Sequence, residues 1–171
     1  LKVYTSNNLS NWSSGGTVTG LSKLPNSIIP LTNTILATVD NKVYSSTDGK
    51  TWAISDKFSG NVTTLVSRLP MNDAETDSKI TYIKEENQQR YLYSILESRL
   101  AGSAGSIEEK LGEAESNFPV NNISYTTFKK GKQYQNIVVG KHDPAINITV
   151  NNKEIPVTVA WGYDGTTWAE V

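Results

Sequence analysis

A short pattern, consisting of an apolar strand, a polar turn and a tryptophan, occurs three times in the sequence. The copies are "VYTSNNLSNW", "VYSSTDGKTW" and "VAWGYDGTTW", which end at Trp12, Trp52 and Trp168. The first two tryptophans are 40 residues apart, and a second marker, Val-Thr-x-Leu, recurs 44 residues apart at Val18 and Val62. One four-stranded propeller blade occupies about 40–45 residues. The repeat therefore predicts an all-β protein, a β-propeller of four-stranded antiparallel blades.

The turn of the repeat has a clear structural chemistry. The two best copies share Asp-Gly-x-Thr-Trp, formed by Asp48, Gly49, Thr51 and Trp52 and by Asp164, Gly165, Thr167 and Trp168. An Asp side chain in a tight turn accepts hydrogen bonds from backbone N–H groups two or three residues on, and Gly supplies a positive φ. Trp is then expected to pack between blades. We favour this stabilising role over the alternative, in which the carboxylates ligate a metal or perform acid–base chemistry.

The segment "SSTDGKTW" resembles the Asp-box of sialidase-type β-propellers, Ser-x-Asp-x-Gly-x-Thr-Trp. The matching residues are Ser46, Asp48, Gly49, Thr51 and Trp52, with one residue fewer between Asp and Gly. This shorter form is similar to that of propeller domains of unknown function in surface lipoproteins of gut bacteria, as is "FPVNNISYTTFKKGKQYQNIVVGKHD". The resemblance implies a structural Asp-box at the outer rim and a bacterial extracellular, cell-surface or periplasmic location. In the first copy, Asn7 and Asn8 are expected to replace the Asp-Gly pair and to change the turn.

The chain is expected to hold about three blades and a hairpin. The predicted units are an outer hairpin at 1–14, a blade at 15–56, an irregular blade with an insert at 57–116, and a blade at 117–171. "TVTGLSKL" is predicted to be the first strand of the 15–56 blade, and "EIPVTVAWG" a single strand of the last one. Propellers close with 4–8 blades. We therefore expect the remaining blades to lie outside these 171 residues.

An insert, "SRLAGSAGSIEEKLGEAESN", interrupts the second blade where the Asp-box should follow Tyr93. "SIEEKLGEAE" is predicted to form a short helix, with Ser106 as its N-cap and Glu108 and Glu109 in the first turn. Two roles remain open for the insert. It is either a solvated surface loop or a segment that contacts a ligand or partner.

Composition excludes several classes of function. Sixteen Lys and Arg balance seventeen Asp and Glu, and no basic stripe indicates a nucleic acid partner. No apolar run is long enough to predict a transmembrane segment. The chain has no Cys, which removes disulfides and thiolate chemistry. No cofactor and no metal site is predicted.

The residues that perform difficult chemistry are scarce. There is one histidine, His142, and its place before Asp-Pro is typical of a loop. The only arginines, Arg68, Arg90 and Arg99, fall in one predicted blade and its insert, whereas a triad around a propeller axis needs several blades. A pair of carboxylates for glycoside hydrolysis remains open. The candidates near predicted turns are Glu85, Glu86, Asp143 and Glu154.

The expected function is therefore a non-catalytic binding or scaffold module with a glycan or a surface protein as its partner. The alternative is part of a carbohydrate-active propeller enzyme whose site is completed by residues outside this chain. Glycan binding would require an exposed aromatic platform. The candidates for it are Trp161, Tyr163, Tyr125 and Tyr134, with a place in the core as the alternative for Trp161.

Overall fold

A computed structural model describes residues 1–70, 77–101, 108–114, 118–119, 124–127, 136–142, 144–164 and 167–171. The backbone of these residues is mainly antiparallel β-strand, with a single short helix, α1 (Glu97–Ala101). This confirms the predicted all-β class with a short helix in the insert, although the helix lies before the segment that the sequence predicts to be helical. The strands form successive antiparallel sheets, and their arrangement accounts for the propeller architecture.

The chain begins with a two-stranded hairpin and continues into three four-stranded antiparallel sheets, each in sequence order. The hairpin pairs β1 (Lys2–Thr5) with β2 (Ser13–Thr17). The first sheet comprises β3 (Ser27–Pro30), β4 (Ile35–Val39), β5 (Lys42–Ser46) and β6 (Ala53–Ile54). The second sheet comprises β7 (Asn61–Pro70), β8 (Ser78–Glu86), β9 (Gln89–Leu96) and β10 (Glu109–Glu113). The third sheet contains β11 (Ser124–Thr127), β12 (Asn136–Lys141), β15 (Thr158–Tyr163) and β16 (Trp168–Glu170), with a separate hairpin of β13 (Asn147–Val150) and β14 (Lys153–Pro156) inserted between β12 and β15.

Two-residue turns with positive φ at both positions connect three strand pairs, β4–β5, β8–β9 and β13–β14. This is the turn geometry whose twist matches that of the flanking strands, and Asn and Asp tolerate it best. The φ angles lie between 51° and 67°. The turn residues are Asp40-Asn41, Asn87-Gln88 and Asn151-Asn152. Local turn chemistry therefore sets the register of these hairpins.

Two strand predictions are wrong. "TVTGLSKL" does not form the first strand of a blade, because Thr19 instead makes an isolated bridge with Thr51 and Gly20 lies against the carbonyl of Trp52. A Cβ at Gly20 would come within 1.9 Å of that oxygen. The initial hairpin also extends to Thr17, past the predicted boundary at residue 14. The Val-Thr-x-Leu marker is thus not a structural repeat.

The second wrong strand is "EIPVTVAWG", which divides at Val157. Its first part is β14 of the inserted hairpin, and its second part is β15 of the third sheet. The N–H of Val157 donates to the carbonyl of Ile146, and its own carbonyl accepts from His142. Val157 is therefore the junction at which the chain passes from the hairpin back into the sheet.

The second sheet lies between the other two, and each of its faces contributes to a separate apolar core. Strand β7 packs against β3, β4 and β5 on one side and against β11 and β12 on the other. The first core contains Leu65, Ile80 and Tyr82, and the second contains Val66 and Ile83. Successive side chains of β8 thus lie on opposite faces of the sheet, as is usual in a β-strand.

A buried hydrogen bond joins the first strands of the first two sheets. The hydroxyl of Ser27 on β3 accepts from the backbone N–H of Leu65 on β7 at 2.8 Å, and it lies 2.7 Å from the hydroxyl of Thr38. Adjacent first strands in face-to-face sheets are the arrangement expected of neighbouring propeller blades. The fold is therefore a propeller array of successive four-stranded units.

Candidate functional site

The connection between the third and fourth strands is not the same in every sheet. In the first and third sheets it is a tight turn around an aspartate, and in the second sheet it is an insert that lies beside the candidate site. In the first sheet this connection is the turn around Asp48. One Asp48 carboxylate oxygen, Oδ1, accepts from the N–H groups of Lys50 and Thr51 at 2.7 and 2.8 Å. The Ser46 hydroxyl donates to the same oxygen at 3.0 Å and accepts from the N–H of Gly49 at 2.9 Å. The Asp48 side chain is thus used to close the turn.

The hairpin at the start of the chain has the same turn with a neutral residue in the place of Asp48. Asn8 Oδ1 accepts from the N–H groups of Ser10 and Asn11 at 3.0 and 2.9 Å, and Leu9 takes the positive-φ position of Gly49. The indole N–H of Trp12 donates to the Leu9 carbonyl at 3.1 Å. The prediction that Asn7 and Asn8 replace the Asp-Gly pair is therefore wrong by one residue. The Asn8 turn and the Asp48 turn have the same geometry because a carboxamide oxygen accepts the same two backbone hydrogen bonds as a carboxylate oxygen.

In the third copy of the turn, an aspartate carboxylate again accepts a backbone hydrogen bond. Asp164 Oδ1 accepts from the N–H of Thr167 at 2.9 Å, and Gly165 lies outside the described residues. Trp168 is half-buried and packs edge-on against Phe118, with ring centroids 5.9 Å apart. Trp52 is 8% exposed, and its indole N–H donates to the Gly49 carbonyl at 3.1 Å. These contacts agree with a stabilising role for the turns.

The Asp48 turn should make stability sensitive to acid. Backbone N–H donors from Thr51 and then Lys50 lower the pKa of the Asp48 carboxyl from 3.8 to about 2. Because the pKa is lower in the folded state, the carboxylate stabilises the fold above about pH 4, and this contribution is lost as the pH falls towards 2. Asp48→Asn should therefore show a smaller fall in Tm than the wild type over this interval, measured by circular dichroism melts.

Asn8 shows that an Asn side chain fits this turn, so Asp48→Asn should fold normally at pH 7. Identical pH profiles for the variant and the wild type between pH 4 and 2 would contradict this origin of the acid sensitivity.

In the second sheet, α1 and an insert occupy the position that the Asp turn takes elsewhere. Glu97, the first residue of α1, accepts from the N–H of Thr32 at 2.7 Å and pairs with the Arg68 guanidinium at 2.7 Å. The N–H and hydroxyl of Ser98 both donate to the carboxylate of Asp77. The start of the insert is therefore attached to the first sheet's β3–β4 loop and to the second sheet's own β7–β8 connection.

The far end of the insert is attached by a second ion pair. The Glu108 carboxylate lies 2.5 Å from Lys84 Nζ and accepts from both the N–H and the hydroxyl of Ser59. The Lys84 ammonium also lies 4.5 Å from the centroid of the Tyr93 ring. The Lys84 and Glu108 side chains are 5% and 11% exposed. The insert is thus anchored at both of its described ends.

The predicted helix "SIEEKLGEAE" is wrong in its described part, and Ser106 lies outside the described residues. Residues Glu109–Glu113 form β10, the fourth strand of the second sheet, which pairs with β9. Lys79 pairs with Glu109 at 2.9 Å, and Lys110 pairs with Glu86 at 3.0 Å. These contacts across the sheet outweigh the helix propensity of Glu, Lys and Leu.

A cleft of about 460 Å³ lies between the first and second sheets, and α1 forms one of its walls. The opposite wall is the β3–β4 loop at 31–34, together with the end of β6 and the residues that follow it, 54–57. Hydroxyl and carboxamide groups of Thr32, Asn33, Thr34, Ser55 and Ser98 line it beside the aliphatic side chains of Leu31, Leu36, Ile54 and Leu100. No aromatic ring is among the described lining residues. We call this space the insert cleft.

Two partly buried carboxylates of the insert cleft, those of Glu97 and Asp77, accept hydrogen bonds from protein donors. Burial alone would raise the pKa of Glu97, but hydrogen bonds from the Thr32 N–H and from Arg68 outweigh it and lower the pKa. Burial is likewise outweighed at Asp77, where the Ser98 hydroxyl and N–H lower the pKa. Both carboxyls are therefore ionised at neutral pH. They are acceptors already engaged with protein donors.

Trp161 and Tyr163, the two predicted platform residues whose side chains the structure describes, do not form an exposed platform. Trp161 is 2% exposed and packs in the second core with its ring centroid 5.1 Å from that of Phe118, so its assignment to an exposed platform is wrong. Tyr163 is partly buried, with its ring against Trp168. The Tyr125 side chain and all of Tyr134 lie outside the described part of the structure. Aromatic residues on inward-facing strand positions are core residues here.

The other candidate catalytic groups are dispersed. Arg68 lies in the insert cleft, while Arg90 lies on β9 and Arg99 on α1. The His142 ring nitrogen Nδ1 lies 2.9 Å from the Pro144 carbonyl. Glu86 is paired with Lys110, Glu154 accepts from Thr149 on the inserted hairpin, and Asp143 lies outside the described residues. Among the residues with described positions, no three His, Asp or Glu side chains converge to hold a metal.

Sequence reasoning missed the residues that build the insert cleft. Arg68 and Glu97 are 29 residues apart, and Thr32 belongs to another sheet, so no local pattern links them. The one available signal was the absence of an Asp-box after Tyr93. That absence located the insert, although it did not identify its partners.

Successive four-stranded antiparallel sheets that pack face to face are the arrangement of a β-propeller domain. The family model of the DUF6242 beta propeller domain matches residues 1–171, and the chain belongs to this family of propeller domains of unknown function. No curated protein and no solved structure gives a significant match to the chain. The one described helix is too short to cross a membrane.

Proposed function

We propose that this domain is a non-catalytic glycan-binding module and that the insert cleft is its binding site. The observation that carries the proposal is the replacement of one Asp turn by an insert anchored at both ends. The other described turns of this kind close their sheets compactly. In the second sheet α1 instead forms one wall of the cleft, and long connections on rigid scaffolds commonly carry function.

The lining of the insert cleft suits a ligand rich in hydroxyl groups. Its threonine and serine hydroxyls and the Asn33 carboxamide both donate and accept hydrogen bonds, as sugar hydroxyls do. Leu31, Ile54 and Leu100 add aliphatic surface for the C–H faces of a sugar ring. A volume of about 460 Å³ lies within the usual range for small-ligand sites.

The carboxylates support binding rather than hydrolysis. Glycoside hydrolysis needs a carboxylic acid with a raised pKa beside an ionised carboxylate. Among the described carboxyls, every pKa that departs from its ordinary value is lowered. In the insert cleft, hydrogen bonds and the Arg68 ion pair hold the carboxylates of Glu97 and Asp77. A proton donor for a leaving group is not among these groups.

The proposed location is the bacterial cell surface or the periplasm, with a glycan of that environment as the ligand. This part of the proposal is supported only by the resemblance of the Asp-turn sequences to propeller domains of surface lipoproteins. The binding chemistry proposed for the cleft does not depend on it.

A glycan array followed by titration calorimetry tests the proposal. We expect the wild-type chain to bind at least one glycan, and Asn33→Ala to weaken that binding about tenfold, because an exposed carboxamide with two kinds of hydrogen bond is lost. Asn147→Ala is the matched control, since Asn147 is an exposed asparagine on the inserted hairpin. It should bind like the wild type.

Two results would contradict the proposal. One is the absence of any glycan whose binding responds to Asn33→Ala. The other is turnover of an aryl glycoside by the purified chain that is lost in Glu97→Gln or in Asp77→Asn. The second result would establish the hydrolase alternative.

A further inference from the structure

Three residues from three elements form a closed set of hydrogen bonds in the insert cleft. Glu97 of α1 accepts from the backbone N–H of Thr32 at 2.7 Å through Oε1. Its other oxygen, Oε2, accepts from Arg68 Nε at 2.8 Å and pairs with Arg68 Nη2 at 2.7 Å. Arg68 Nη2 also donates to the Thr32 hydroxyl at 2.9 Å. The Arg68 guanidinium is therefore fixed in position by contacts with both walls of the cleft.

These contacts use one edge of the guanidinium and leave the other edge available. The group is planar, and its N–H donors are distributed over Nε, Nη1 and Nη2. Nε and Nη2 bind Glu97 and Thr32, whereas no group in the described part of the structure accepts from Nη1. The Arg68 side chain lines the cleft and is 29% exposed. The cleft therefore contains an oriented pair of N–H donors that the described protein groups do not use.

Aliphatic side chains supply the apolar surface of the same cleft. Leu31 and Leu100 line it and pack against the first core, and Ile54, which also lines it, is 57% exposed. Because no aromatic ring is among the described lining residues, these residues offer a sugar ring no flat surface for stacking. Burial of a methyl group against aliphatic side chains is favourable. The apolar part of the cleft is therefore suited to a methyl substituent.

We propose that the insert cleft recognises its glycan through the acetamido group of an N-acetylhexosamine. This inference rests on the glycan-binding function proposed above and names the class of its ligand. The acetamido carbonyl accepts from Arg68 Nη1, and the acetyl methyl group packs against the aliphatic side chains. The acetamido N–H donates to the Asn33 carboxamide or to the Thr34 hydroxyl, both of which line the cleft. One substituent thus engages each kind of group that the cleft contains.

The charges of the insert cleft select against other sugar substituents. Its described charged lining residues are three carboxylates and two cations: Asp56, Asp77, Glu97, Lys57 and Arg68. A sugar carboxylate or sulfate would meet this excess of negative charge. A free amino group finds no acceptor at Arg68, because a guanidinium only donates hydrogen bonds. A neutral amide is therefore the substituent that fits both the guanidinium and the aliphatic surface.

Titration calorimetry of the 171-residue chain with matched oligosaccharides tests this inference. Oligomers of N-acetylglucosamine and of N-acetylgalactosamine are each compared with the counterpart that has a hydroxyl in place of the acetamido group, and with the N-deacetylated counterpart. At least one N-acetylated oligomer should bind about tenfold more tightly than both of its counterparts. In saturation-transfer NMR, its acetyl methyl protons should show the largest effect, because the methyl group packs against the protein.

Two variants address the two halves of the recognition. Arg68→Lys should reduce the preference for the N-acetylated oligomer about tenfold, because an ammonium lacks the planar donor set that reaches Glu97 and the ligand together. Arg90→Lys is the matched control, since Arg90 lies on β9 outside the cleft, and it should keep the preference. Because Arg68 also ties the walls of the cleft together, Ile54→Ser provides an independent variant at an exposed position. It should weaken the acetyl methyl effect in saturation-transfer NMR.

The outcomes distinguish this inference from the function on which it rests. If glycans bind in a manner that depends on Asn33 but the N-acetylated oligomers have no advantage over their hydroxyl counterparts, the acetamido assignment is overturned and the glycan-binding function stands. Tighter binding of a deacetylated or acidic glycan overturns the assignment as well, as does a preference that survives in both Arg68→Lys and Ile54→Ser. If no oligosaccharide binds at all, the function and this inference fail together.

Discussion

Replacement of Trp52 by alanine is expected to lower the free energy of unfolding by about 3–5 kcal/mol, the usual cost of deleting a large buried aromatic side chain. Trp52 is 8% exposed, and its indole N–H closes the Asp48 turn through the Gly49 carbonyl. Its backbone N–H also donates to the carbonyl of Thr19. Truncation would leave a cavity and remove the ring that connects the turn to the interior. Urea unfolding followed by circular dichroism measures the effect.

The chain contains a matched control in Trp12→Ala. Trp12 makes the same indole hydrogen bond in a turn of the same geometry, but its ring is 59% exposed. Its replacement should therefore cost less than about 1 kcal/mol. Equal destabilisation by the two changes would show that the turn hydrogen bond, and not burial of the ring, determines the stability. A Trp52→Ala protein as stable as the wild type would contradict the role assigned to the repeat.

Local chemistry accounts for the parts of the fold that the sequence could predict. Hairpins at Asp40-Asn41 and Asn151-Asn152 follow from residues that tolerate positive φ at both turn positions. The two faces of β8 follow from its alternation. The hydrogen bonds accepted by Asp48 and Asp164 follow from the turn residues that surround them. Each of these features depends on residues only a few positions apart.

The failures arose where distant residues decide the local structure. Glu109–Glu113 has helix-forming residues, but the chain there pairs with β9 and forms ion pairs with Lys79 and Glu86. The sequence leaves Trp161 either on an exposed platform or in the core, and its contact with the Phe118 ring, whose centroid lies 5.1 Å away, decides for the core. The insert cleft depends on Thr32, Arg68 and Glu97, which belong to different elements. Only the three-dimensional arrangement brings these groups together.

The predicted position of the first turn is wrong by one residue for a different reason. Asn7 and Asn8 are chemically identical, so composition alone does not decide which of them replaces the aspartate. The 40-residue spacing that relates Trp12 to Trp52 also relates Asn8 to Asp48, and the structure follows that spacing. The spacing of a repeat was therefore a better guide than its residue types. It assigns Leu9 to the strained position, which no composition rule would have chosen.

Removal of the Glu108 side chain is expected to be as damaging as the loss of Trp52. Glu108→Ala would leave the Lys84 ammonium, which is 5% exposed, without its anion and would remove the acceptor for the Ser59 N–H and hydroxyl. Breaking a buried ion pair on one side costs about 3–5 kcal/mol, because the remaining charge stays desolvated. Burial alone would raise the Glu108 pKa, and the donors that outweigh it, first Lys84 and then Ser59, hold it below its ordinary value.

A double-mutant cycle separates this desolvation cost from a general loss of packing. Lys84→Met combined with Glu108→Ala should be less destabilised than the sum of the two single changes, since no charge then remains buried. Glu109→Ala is the control, because the Glu109 side chain is 62% exposed and its pair with Lys79 should contribute less than about 1 kcal/mol. Glu108→Ala should also increase proteolysis within 102–107, because it releases one anchor of the insert while the contacts of Glu97 remain. Strict additivity in the cycle, with unchanged proteolysis, would show that the Lys84–Glu108 pair does not hold the insert against the second sheet.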